Sequence, residues 1–174
     1  MRRMLAVVWL AACQREAAPP VVAQPTKPIA VLAPAPDVTP GKRHIEVVSA
    51  LPDGPIAPYV QAELARAQAD GRRLLVYVGA TWCEPCRRFH DAAKAGELDD
   101  AFSDLRLLEF DLDRDRDRLA ADGYRSEMIP LIALPGADGK GNGRGMQGSV
   151  KGEGAVAQMR PRLQELLALP TATR

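Results

Sequence analysis

The stretch Leu74-Leu75-Val76-Tyr77-Val78-Gly79-Ala80-Thr81-Trp82-Cys83-Glu84-Pro85-Cys86 opens on five residues without a charge and closes on two cysteines three positions apart. A continuous apolar run with β-branched and aromatic members predicts a strand buried on both faces. Cysteines at i and i+3 fall on one side of the first turn of a following helix, close enough to close a disulfide. The N-terminus of that helix offers free N–H groups and a positive dipole end to Cys83, which favours its thiolate. Lowering a thiol pKa from ~8.5 to ~7 raises the attacking species at pH 7 roughly fifteenfold, for ~2 kcal/mol. Arg87 and Arg88 act in the same direction, Glu84 opposes them, and Pro85 removes one backbone donor. Cys86, deeper in the helix, reads as the resolving thiol.

Outward from this stretch the periodicities continue. His44–Leu51 reads as a short strand, and Pro58 suits the first position of a helix carrying Val60, Leu64 and Ala67 and stopped by Gly71. After the cysteines a helix is expected to about Ala95, then a strand over Leu105–Leu112 and a short charged helix over Asp115–Ala121. Leu131–Leu134 and Met146–Val150 flank a glycine-rich turn and read as a hairpin. Residues 154–169 place Val156, Met159, Leu163, Leu166 and Leu167 on one stripe, with Pro161 expected to kink or restart that helix. The order β-α-β-α-β-α-β-β-α gives an α/β fold, a mixed central sheet with helices on both faces.

Composition bounds the function. Of 174 residues, 47% are hydrophobic and 26% charged, and the formal charge of +1 supplies no basic field for nucleic acid. Only 5% are aromatic, so stacking platforms for bases are scarce. No run approaches the ~20 apolar residues that span a bilayer. Three cysteines are too few for a disulfide scaffold.

The N-terminal region reads as an address. Arg2 and Arg3 precede a short apolar run, Met4–Ala12, that stops at Cys13. Leu10-Ala11-Ala12-Cys13 resembles the lipobox of bacterial lipoproteins, which implies a signal peptide over 1–12 and an acylated Cys13 as a membrane anchor. Gln14 follows, where an aspartate would imply inner-membrane retention, so a periplasm-facing site on the outer membrane of a Gram-negative cell is expected. Residues 14–41 hold seven of the fifteen prolines and show no helical or strand period. With Cys13 they form an extended Pro/Ala-rich tether over 13–41, leaving 42–174 as the folded domain.

Trp82-Cys83-Glu84-Pro85-Cys86 after a buried strand, with Ile129-Pro130 further along, resembles thioredoxin, and the bacterial envelope forms most closely. The resemblance covers roughly residues 55–169. It implies the thioredoxin fold and a thiol–disulfide oxidoreductase whose redox group is the Cys83–Cys86 pair, with no other cofactor and no metal. The family's cis-proline maps onto Pro130, its active-site tryptophan onto Trp82, and a glycine near the substrate groove onto Gly148. Ile129 would pair its backbone with an extended substrate segment beside Glu84 and Pro85. Where the family buries an aspartate that helps deprotonate the second thiol, this sequence has Tyr77. Glu109, on the neighbouring strand, is the candidate to take over that role, through the Tyr77 hydroxyl. The catalytic candidates are therefore Cys83, Cys86, Pro130 and Glu109.

Other readings of the same residues are weaker. Structural zinc needs four ligands, and His44 and His90 stand at unsuitable spacings, His90 reading as a partly buried helix residue. Asp111, Asp113, Asp115 and Asp117 alternate like a calcium loop, but Arg116 stands where glycine is needed, so a strand end and a solvated helix are expected. Gly143, Gly145 and Gly148 spell a nucleotide-loop pattern in the wrong context, a hairpin. The expected function is a monomeric, membrane-anchored periplasmic reductase or exchanger of protein disulfides, fed by an upstream electron donor. A disulfide oxidase or isomerase, and a non-enzymatic redox-responsive binding lipoprotein, are the alternatives.

Overall fold

A computed structural model describes residues 43–169. The expected signal peptide and tether, with Cys13, lie outside the described residues. The elements are β1 (Glu46–Ser49), α1 (Ile56–Ala69), β2 (Arg73–Gly79), α2 (Glu84–Lys94), α3 (Asp99–Phe102), β3 (Leu105–Asp111), α4 (Leu112–Ala121), β4 (Leu131–Pro135), β5 (Gly141–Gln147) and α5 (Gly154–Ala168). One five-stranded sheet runs in the order β1-β3-β2-β4-β5. β2 pairs in parallel with β3, β3 in parallel with β1, and β4 antiparallel with both β2 and β5. This is the thioredoxin fold, with β2 at its centre.

The central place of β2 follows from its sequence. Six of its seven residues are buried, and alternate side chains enter two separate apolar layers. Leu75 and Tyr77 pack with Phe89 of α2 and with Met159 and Leu163 of α5. Leu74, Val76 and Val78 pack on the other face with Val60 of α1 and Leu119 of α4. Burying a leucine- or phenylalanine-sized side chain contributes about 1.5–3 kcal/mol. A strand that fills both layers therefore fixes the register of everything beside it.

Four expectations need correction. The four-residue helix α3 was not foreseen; buried Leu98 and Phe102 hold it down, and a single turn carries no period to read. α5 runs unbroken through Pro161 instead of restarting there. Met159 and Leu163, both fully buried, hold the segments before and after the proline on one sheet face, and one lost backbone bond is tolerated. α4 begins at Leu112, not Asp115, and Asp115 is fully buried, not solvated.

The fourth concerns the glycines. Gly141–Gln147 is a strand, and the turn is residues 136–140, where the Gly136 amide donates to the Lys140 carbonyl at 2.7 Å. A side chain at Gly141 would strike the Gly123 carbonyl, and one at Gly145 would lie 2.8 Å from the Ile132 carbonyl oxygen. Crowding by distant backbone, not turn formation, thus demands glycine in this strand. Gly139 combines a φ of +78° with a Cβ direction that runs into the Ala57 carbonyl. Gly139→Ala should accordingly lower unfolding stability by about 2 kcal/mol. Urea unfolding checks this; a midpoint equal to that of the wild type would refute it.

Candidate active site

β2 delivers the chain to the site. Beyond Gly79, a turn in which the Cys83 amide donates to the Ala80 carbonyl at 3.1 Å sets Cys83 as the N-cap of α2. Its φ of −82° and ψ of 103° are extended, as a cap requires, and Sγ accepts a hydrogen bond from the Cys86 amide at 3.3 Å. Pro85 occupies the first turn, where its missing N–H leaves no bond unmade. Cys83 and Cys86 are joined as a disulfide with their Cα atoms 5.2 Å apart.

The two sulfurs face different surroundings. Cys83 lines an open cleft of about 430 Å³, with Trp82 and Pro85 on its side and Met128, Ile129 and Gly148 opposite. The Ile129–Pro130 peptide bond is cis, Pro130 is buried, and its carbonyl accepts from the Gly148 amide at 2.9 Å. Gly148, at φ +67°, lies against the Met128 side chain. Trp82 is 63% exposed, yet its Nε1 donates to Asp113 at 2.8 Å, which ties the indole to the first turn of α4. That turn is capped by Asp111, which accepts from the amides of Asp113 and Arg114 at 2.8 and 3.2 Å.

Glu84, between the cysteines, accepts from Arg88 Nε at 2.8 Å and from the Gly152 amide at 3.2 Å. The Arg88 hydrogen bond, and then that from Gly152, hold its carboxyl below the usual carboxylate range. It is therefore ionised at neutral pH, joins α2 to the loop before α5, and spends its charge on Arg88.

Cys86 lines a second cavity of about 360 Å³, with Tyr77, His90 and Glu109. The Tyr77 hydroxyl donates to the Cys86 carbonyl at 2.9 Å, and its ring stacks on Phe89 with centroids 5.6 Å apart. Burial, and then the charges of Glu109 and Asp91, push this hydroxyl far above its ordinary range, so it stays protonated. Its proton is directed at the Cys86 carbonyl. Glu109 sits beside Tyr77 in the parallel register and approaches His90 instead, with Oε2 3.4 Å from Nε2. His90 is half-buried on α2, as the sequence reading has it, and follows Cys86 by four positions, so the two share a helix face.

A redox-active pair at the N-terminus of the helix that leaves the central strand, with a cis-proline across the cleft, is the site of a thiol–disulfide oxidoreductase. Residues 56–136 match a family described as thioredoxin-like. Solved structures similar to the chain include thioredoxins. A mutant thioredoxin from Halobacterium salinarum has TM-score 0.42 and 20% identity over 73% of this chain and 94% of its own. A poplar thioredoxin h has TM-score 0.44 and 18% identity over 73% and 99%. Thioredoxin O1 from Arabidopsis thaliana has TM-score 0.40 and 19% identity over 70% and 95%. No curated protein matches the chain.

Proposed function

We propose that this protein reduces or exchanges disulfides in proteins of the bacterial cell envelope, held at the membrane by a lipid on Cys13. The observation that carries the reaction is the separation of the two sulfurs. Cys83 borders the cleft that holds Ile129 and the exposed Trp82 and Met128, and Cys86 a separate cavity, so a substrate segment aligned on Ile129 meets Cys83 first. The Cys83 thiolate attacks a substrate sulfur, forming a mixed disulfide and releasing one substrate thiolate. Cys86 then gives up its proton and attacks Cys83 Sγ, which restores the intramolecular disulfide and frees the second substrate thiol. Two electrons pass to the substrate, and an upstream dithiol donor returns them.

Ile129 lies across the cleft beside buried Pro130, where an extended substrate segment can align with the backbone. Trp82 and Met128 supply exposed apolar surface at the rim. Ile129-Pro130 resembles the reducing branch of the family, which favours reductase over oxidase. The envelope assignment draws on Arg2-Arg3, Met4–Ala12 and Cys13, and on the proline-rich stretch that follows.

Insulin reduction tests the activity. Reduced protein should accelerate precipitation of insulin B chains in the presence of a dithiol donor, and protein alkylated at its thiols should not. Equal rates from the native and alkylated proteins would rule the reading out.

A further inference from the structure

We propose that His90 and Glu109 together form the proton acceptor for Cys86, with His90 carrying the proton and Glu109 holding the charged ring. The proposal rests on the oxidoreductase reading above and assigns a group within it. Three observations place the pair. Cys86 and His90 stand one helical turn apart on α2, so their side chains lie on one face. Both border the 360 Å³ cavity, as does Glu109 from β3, and this is room for several waters between thiol and ring. The His90 ring and the Glu109 carboxylate, only 24% and 29% exposed, meet at 3.4 Å.

Other candidates on the cavity wall are occupied. Tyr77, from β2, keeps its proton and gives it to the Cys86 carbonyl. Asp111, at the end of β3, is spent capping α4. Arg114, from α4, is bound to Asp115, and Arg87, of α2, is a cation that cannot accept a proton. Asp91 lies 3.7 Å from the other ring nitrogen and is 80% exposed, so water screens it.

The step balances. The Cys86 S–H proton passes across the cavity to the imidazole, which becomes imidazolium beside the Glu109 carboxylate. The Cys86 thiolate attacks Cys83 Sγ, the bond between Cys83 and the substrate sulfur breaks, and the substrate leaves as a thiolate protonated by solvent. When a donor later opens the disulfide by attacking Cys83, Cys86 departs as thiolate and recovers the proton from His90.

Reduced protein mixed with dithiobis(nitrobenzoate) separates the steps. Attack by Cys83 releases one thionitrobenzoate, and resolution by Cys86 releases a second. His90→Gln should lower the ratio of the second rate to the first about tenfold at pH 7. Glu109→Gln should lower the same ratio less, because the ring remains and only its counter-charge is lost. A ratio in His90→Gln identical to that of the wild type would overturn the assignment of His90. A wild-type protein that forms no mixed disulfide would overturn the oxidoreductase reading itself. Far-ultraviolet circular dichroism confirms that each variant is folded before rates are compared.

Discussion

Replacing Cys86 by serine should stop turnover at the mixed disulfide, cutting steady-state insulin reduction on the order of a thousandfold. The serine hydroxyl cannot attack a disulfide at neutral pH, so a substrate captured by Cys83 has no internal route of release. Because Cys83, and not Cys86, borders the cleft with Ile129, the first attack survives the change and the protein accumulates in covalent union with its substrate. Cys83→Ser should give the opposite pattern, with turnover lost and no adduct formed. Non-reducing electrophoresis followed by mass spectrometry distinguishes the two. An adduct retained in Cys83→Ser would reverse the roles assigned to the sulfurs. The adducts from intact cells would also name the substrates.

Asp115→Ala should cost about 3 kcal/mol of stability and lower the melting temperature by roughly 10 °C. Asp115 is fully buried and accepts from Arg114 at 2.9 and 2.8 Å, from Arg118 at 2.6 Å and from the Asp111 amide at 3.2 Å. Arg118 in turn donates to the carbonyls of Gly54 and Leu51, so one carboxylate secures the loop between β1 and α1 against α4. Removing one partner of a buried pair costs 3–5 kcal/mol, and the low end applies because Arg114 and Arg118 are 44% and 25% exposed and can rehydrate. Burial pushes the Asp115 carboxyl up, but hydrogen bonds from Arg114 and Arg118 outweigh it and hold the group below the carboxylate range. Its contribution is therefore complete above the unfolded value of ~3.9 and fades as pH falls through the lower native value. The gap between wild type and variant should accordingly narrow below about pH 4. A gap that is constant from pH 7 to pH 3 would exclude this ion cluster as its source.

What could be read from the sequence was whatever is local. Leu74–Val78 announced a strand buried on both faces because every residue in it is apolar, and both layers indeed draw on it. The cysteine pair was legible because capping, dipole and spacing all act within one helical turn. Pro130 was legible through resemblance, and its cis bond lies where that resemblance put it. The misses depend on residues far away in the chain. Gly141 and Gly145 looked like turn residues, and only the backbone of Gly123 and Ile132, pressed against them, explains their lack of side chains. Asp115 looked solvated among alternating arginines until the fold brought the loop before α1 over it. Glu109 was selected, but its partner was read as Tyr77. The register that sets Glu109 beside Tyr77 does not say which way a long carboxylate leans, and it leans to His90.

The disulfide spans three positions, so it closes a loop of only four residues. In the chain-entropy description, such a short loop restricts the unfolded ensemble by about 2 kcal/mol, against nearly 5 for a loop of a hundred residues. Folding consequently depends far less on whether the bond is open or closed than it would for a long-range cross-link. Two hydrophobic layers, not the cross-link, carry the domain, and the bond is left free to act as a reversible chemical group. A cross-link that held distant parts of the chain together could not be broken in every cycle without loosening the molecule that uses it.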